Sequence, residues 1–149
     1  MGLSKLLRRQ KALSQFKQET KSVLDKALKA KLHADELLSA ATQELEQAQC
    51  RLDSHLQTPL STTTYGGFAS LHNTQGARLI DDVERSRQKQ EEHNEVAEAR
   101  QAEWARAYSR DKGIERLLGK IKTEIRSAME QAEQKEADLI SAHKSMREE

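Results

Sequence analysis

One cysteine, one proline, six glycines and five aromatic residues are spread over 149 positions, and aromatics make up only 3% of the chain. Each scarcity excludes something. A lone Cys50 permits no internal disulfide and no cysteine metal cluster. Five aromatic rings cannot supply the large buried areas that dominate an ordinary globular interior. No run approaches the roughly 20 apolar residues that span a bilayer, and the opening Met-Gly-Leu-Ser-Lys-Leu lacks the apolar core of a signal peptide, so the mature chain is expected to begin in the cytosol. Gly2 does not make a myristoylation signal, because Leu6 stands where that pattern requires Ser or Thr.

Strong helix formers, Ala, Leu, Glu, Gln, Lys and Arg, fill nearly every window. The exception begins at Thr58, where Thr-Pro-Leu-Ser-Thr-Thr-Thr-Tyr-Gly-Gly-Phe-Ala-Ser gathers the proline, a Thr run and a Gly pair. The pattern predicts a helix over about 3–57, a loop over about 58–73, and a second helix over about 74–147, with Asn73 or Thr74 as its N-cap.

Apolar spacing within both helices follows a 3.5-residue repeat. The first seam runs Leu3, Leu6, Gln10, Leu13, Lys17, Thr20, Leu24, Ala27, Lys31, Ala34, Leu38, Ala41, Leu45, Ala48, Leu52, His55, with 11 of 16 positions apolar. The second keeps one phase from Leu79 through Val83, Ser86, Gln90, His93, Ala97, Arg100, Trp104, Ala107, Asp111, Ile114, Leu118, Ile121, Ile125, Ala128, Ala132, Lys135, Leu139 and Ala142 to Met146, with 14 of 20 positions apolar and the polar ones concentrated before Trp104. Such helices need a partner for their stripes, and a loop of this length lets them find it in each other. The expected fold is all-α: a single domain over 1–149, formed as a long antiparallel two-helix coiled-coil hairpin. A dimeric four-helix bundle or a parallel coil is the competing arrangement.

Charge is unevenly placed. The first 31 residues hold nine Lys or Arg against Glu19 and Asp25, a surplus of seven, although the whole chain carries only +1. A solvated face accounts for this blandly. An acidic protein surface or anionic lipid is the alternative, and nucleic acid is not expected, since no reading motif is present and Phe16 alone interrupts the basic stretch as a stacking aromatic. No catalytic constellation is found. Gly66-Gly67 lacks the Lys of a phosphate loop, the five histidines, His33, His55, His72, His93 and His143, lack metal-ligand spacing, and the hydroxyls of Ser61–Thr64 have no partner base. Neither enzyme activity, nor a cofactor, nor a metal is expected.

Two blocks carry a resemblance. Arg110-Asp-Lys112-Gly-Ile114-Glu115-Arg116-Leu117, followed by Glu133-Gln134-Lys135-Glu136-Ala-Asp138, resembles the Arg-x-Lys-x-Leu-Glu-Lys-Leu and Glu-Gln-Lys-Glu-x-Asp signatures of the FliJ/YscO family, the stalk components of type III export systems. Leu79-Ile80-Asp-Asp-Val83 sits where that family has its short apolar motif, with Leu79 in place of a bulky aromatic, and the early Leu6-Leu7-Arg8 matches as well. The resemblance implies a non-enzymatic central stalk, cytoplasmic and peripheral to the inner-membrane export apparatus. Arg8, Arg9, Lys11 and Lys17 would contact a hexameric export ATPase. Leu79, Ile80 and Val83 would bind the cytoplasmic domain of the export gate, and export chaperones would be further partners. The flagellar form of the system is favoured over the virulence form. A self-associating coiled-coil spacer or adaptor is the alternative function.

Overall fold

The structure, a computed structural model, describes residues 2–58 and 66–147, the side chains of 66–68 excepted. The reversal expected around Pro59 therefore lies outside the described residues. Two helices account for the rest: α1 over Leu3–Gln57 and α2 over Gly66–Arg147, packed against each other as a two-helix hairpin, with no strand among the described residues.

Helix α1 starts where expected. The Gly2 carbonyl accepts the Lys5 and Leu6 amides at 3.0 and 3.2 Å, closing the first turn. At the other end Thr58 hands its hydroxyl to the Ser54 carbonyl at 2.9 Å and its amide to the His55 carbonyl at 3.3 Å.

Helix α2 starts eight residues earlier than expected, which shortens the proposed 58–73 loop. Neither Asn73 nor Thr74 is a cap: Thr74 behaves as an interior residue, its hydroxyl donating to the Ser70 carbonyl at 2.9 Å. The cause is tertiary. The rings of His55 and His72 stack with centroids 3.9 Å apart, and His55 Nε2 lies 2.9 Å from the His72 carbonyl oxygen. Gly76 makes room for this clasp, since a Cβ there would lie 3.2 Å from His55 Nε2. Contacts of this kind override the weak local preference of Ser, His and Asn for leaving a helix.

Packing gathers into two units. The first comprises Met1–Lys26 with Ala105–Glu149. Its apolar core is Leu6, Ile121 and Ile125, with Leu13 and Ala128 against them. The second comprises Ala27–Trp104, where Leu45, Ala48 and Val83 form the core with Leu52 beside them. Within each unit the helices run antiparallel: Leu6 meets Ile121 and Ile125 while Lys17 meets Asp111, and Thr42 meets Gln90 while His55 meets His72.

The seam of α1 is the expected one from Leu6 to His55, every position being buried or half-buried, with Leu3 exposed. Small side chains supply much of it: Ala34, Ala41 and Ala48 are buried, and Ala48 is 0% exposed. On α2 the phase holds from Leu79 to Ala128, with Arg100 turned outward. Beyond Ala128 it fails as a seam. Ala132, Lys135, Leu139, Ala142 and Met146 are all exposed, because Leu6 already lies level with Ile125 and α1 offers only Leu3 to Lys5 before its first turn is complete. Apolar period alone does not tell where a partner stops.

Candidate functional site

Three polar entries in the apolar seams of the first unit form one cluster. Asp111, 6% exposed, accepts from Lys17 Nζ at 2.7 Å through Oδ2 and from the Thr20 hydroxyl at 3.1 Å through Oδ1. Lys17 Nζ also reaches the Asp111 carbonyl at 3.5 Å and Glu115 Oε2 at 3.7 Å, and Lys112 holds Glu115 at 2.9 Å. Among the described residues no buried side-chain polar atom lacks a partner. A buried carboxylate matched to one lysine and one hydroxyl on the facing helix fixes register, because a slip of one heptad would set Asp111 against Gln10 and Leu13 or against Leu24 and Ala27, with no cation to meet it. The Lys17 ammonium holds the Asp111 carboxyl below its ordinary value, helped by the Thr20 hydroxyl and opposed by burial. The hydrogen bond from Lys112 does the same for Glu115.

A carboxyl held down in the native state stabilises it only while ionised. The Asp111 contribution is therefore complete above its ordinary value of 3.8 and is lost as pH falls through the lower native value. Asp111→Asn should melt below wild type at pH 7, and the gap should close as melting is followed to below about pH 3.8. A gap independent of pH would show that the carboxylate is not what Lys17 stabilises.

The four expected ring-contact residues divide. Arg8, Arg9 and Lys11 are exposed on α1, and none pairs with a carboxylate among the described residues. Lys17 is committed to Asp111 inside the first unit.

The expected gate-binding residues divide too. Val83 is buried against Leu45 and Ala48 and is a seam residue of the second unit. Leu79 is half-buried and helps line a hollow of about 600 Å³ with Leu71, His72, Gln75, Arg78 and Asp82. Ile80 is 56% exposed. The outward apolar surface there thus belongs to Ile80, Leu71 and one side of Leu79.

A second apolar surface was not anticipated. Phe16, noticed in the sequence only as a stray aromatic, is 53% exposed, and hollows of about 170 and 650 Å³ lie on its two sides, both bordered by Arg110. Its signal was its phase: Phe16 directly precedes the seam position Lys17 and stands at the flank of the stripe, where the facing helix covers a side chain only in part.

These features define a class of molecule, a two-helix hairpin that offers surfaces and shows no group of three metal-capable side chains among the described residues. No helix among them is long and apolar enough to cross a membrane. Comparison with protein families, with curated proteins and with solved structures finds no match in any of the three.

Proposed function

We propose that the chain is the non-enzymatic central stalk of a type III export ATPase of the flagellar kind, linking the ATPase ring to the membrane export gate. The observation that supports this best is the unspent charge of Arg8, Arg9 and Lys11, exposed in the same unit as the 110–117 block that carries the family resemblance. In this reading those cations meet acidic side chains of a hexameric ATPase, while Ile80 with the open side of Leu79 meets the gate's cytoplasmic domain. Export chaperones are further partners, and the location is the cytoplasmic side of the inner membrane.

Catalysis by the ring is helped through linkage. A stalk that binds the assembled ring and not its free subunits favours assembly by about 2.7 kcal/mol when present at a hundredfold above its Kd.

The test is ATP hydrolysis by a purified export ATPase below its assembly concentration. Wild type should stimulate it, and Arg8→Glu, Arg9→Glu and Lys11→Glu combined should remove at least about nine-tenths of the stimulation while leaving melting unchanged, since these side chains support no packing. Equal stimulation by both would return the basic stretch to a solvated face. Concentration-dependent self-association of the wild type without stimulation would favour the coiled-coil spacer instead.

A further inference from the structure

The surface around Phe16 has the makings of a groove for a third helix. On α1, Phe16, Thr20 and Val23 stand one turn above another, and on α2 Arg110, Ile114 and Leu117 repeat that spacing. Phe16, Val23 and Leu117 are 53%, 53% and 42% exposed, which is much apolar side chain to leave in water on a chain with two phenylalanines. From Ala107 to Lys120 the bordering stretch of α2 is about 20 Å long at about 1.5 Å per residue.

Two further observations say what kind of partner fits. Arg110, Arg116 and Lys120 border the hollows, all three are exposed, and none meets a carboxylate among the described residues. The neighbouring Lys17 and Lys112 are paired, and among the described residues Glu19 is the one carboxylate lining either hollow. Gly113, at the edge of the larger hollow, is the second observation. Glycine inside a helix costs about 0.5–1 kcal/mol relative to alanine, and a Cβ there would meet nothing within 4 Å. No contact within the chain explains its smallness, and the open space over it leaves room for a neighbouring helix to come close.

We propose that this groove binds an acidic amphipathic helix, whose apolar stripe packs on Phe16, Ile114 and Leu117 over Gly113 and whose carboxylates pair with Arg110, Arg116 and Lys120. The groove shares the 110–117 block with the stalk reading but uses none of Arg8, Arg9 or Lys11, so the failure of one is distinguishable from the failure of the other. It predicts a helix-in-groove complex in which the apolar stripe supplies affinity and the charges supply partner choice.

The probe is a labelled helical peptide with Leu at i, i+4, i+7 and i+11 and Glu on the flanking positions, measured by fluorescence anisotropy against the full chain. A second peptide carries Lys in place of Glu. The Glu peptide should bind at least about tenfold more tightly than the Lys peptide, and Phe16→Ala should weaken it at least about tenfold. Gly113→Leu is the sharper variant: it should weaken binding by a similar factor while melting at or above wild type, because it fills the hollow without a clash and improves helix propensity. Failure of the Glu peptide to bind, or indifference of its affinity to both variants, would overturn the proposal. So would equally tight capture of anionic vesicles or single-stranded DNA, which would show that charge alone suffices. Dimerisation of the wild type that Phe16→Ala abolishes would overturn it as well, by making a second copy the occupant.

Discussion

Ala48→Leu is expected to lower stability by about 1–3 kcal/mol, which for a chain of this size is a fall in Tm of roughly 2–4 °C per kcal/mol. The reason lies in how the second unit is built. Ala48 is 0% exposed and sits in a cluster with Leu45, Val83 and Leu52, so a single methyl group brings the helices into contact there. Three added carbons have no hollow to occupy, and one helix must move away or a rotamer must strain. Ala99→Leu is the control: Ala99 is exposed on the same unit and the change should stay within about 0.5 kcal/mol. Identical melting of Ala48→Leu and wild type would contradict the close approach at Ala48.

Ile121→Ala should be destabilising by about 2–3 kcal/mol, near the lower end of the range for deleting a buried isoleucine side chain. Ile121 is 4% exposed against Leu6 and Ile125, yet no large side chain among the described residues is fully buried, so water reaches part of the cavity the variant leaves. Leu139→Ala makes the informative pair. Leu139 shares the phase of Ile121 in the sequence and is 72% exposed in the structure, so its loss should cost no more than about 0.5 kcal/mol. Chemical denaturation of both variants decides the matter, and equal losses would place 129–147 in a seam after all.

The hairpin was legible because its physics is periodic. Leucine and alanine at 3.5-residue spacing define a stripe whatever the partner is, and the stripe of α1 proved buried or half-buried at each position from Leu6 to His55. What periodicity cannot carry is the partner's extent. Leu139, Ala142 and Met146 repeat the pattern faithfully and lie exposed, because burial depends on the length of the facing helix. The start of α2 was misplaced for a related reason, since the His55–His72 stack and the space at Gly76 join residues far apart in sequence.

The exposure of the candidate residues was legible in part. Arg8, Arg9 and Lys11 are exposed, whereas Lys17, which the resemblance groups with them, is a half-buried seam residue. Its position in the seam, facing Asp111 in the antiparallel register, was the sign that its ammonium would be used within the fold. Val83 illustrates the same conflict: four residues after Leu79 on one helix face, it shares that face with the core. Ile80, out of phase with the seam, is the member of the trio left to the outside.

Surfaces on the first unit now divide between two chemistries. Arg8, Arg9 and Lys11 are bare charge, suited to long-range attraction that falls off over a Debye length of about 8 Å at physiological salt. Arg110, Arg116 and Lys120 surround an apolar floor, suited to a seated helix. Raising the salt should therefore weaken the first kind of contact far more than the second.

The stalk reading is tested most directly by native mass spectrometry of the chain mixed with a purified hexameric type III export ATPase. A complex holding a single copy of the chain per hexamer is expected, lost when Arg8, Arg9 and Lys11 are reversed to Glu. A hexamer that remains bare beside the free chain, or beside oligomers of the chain alone, would contradict it.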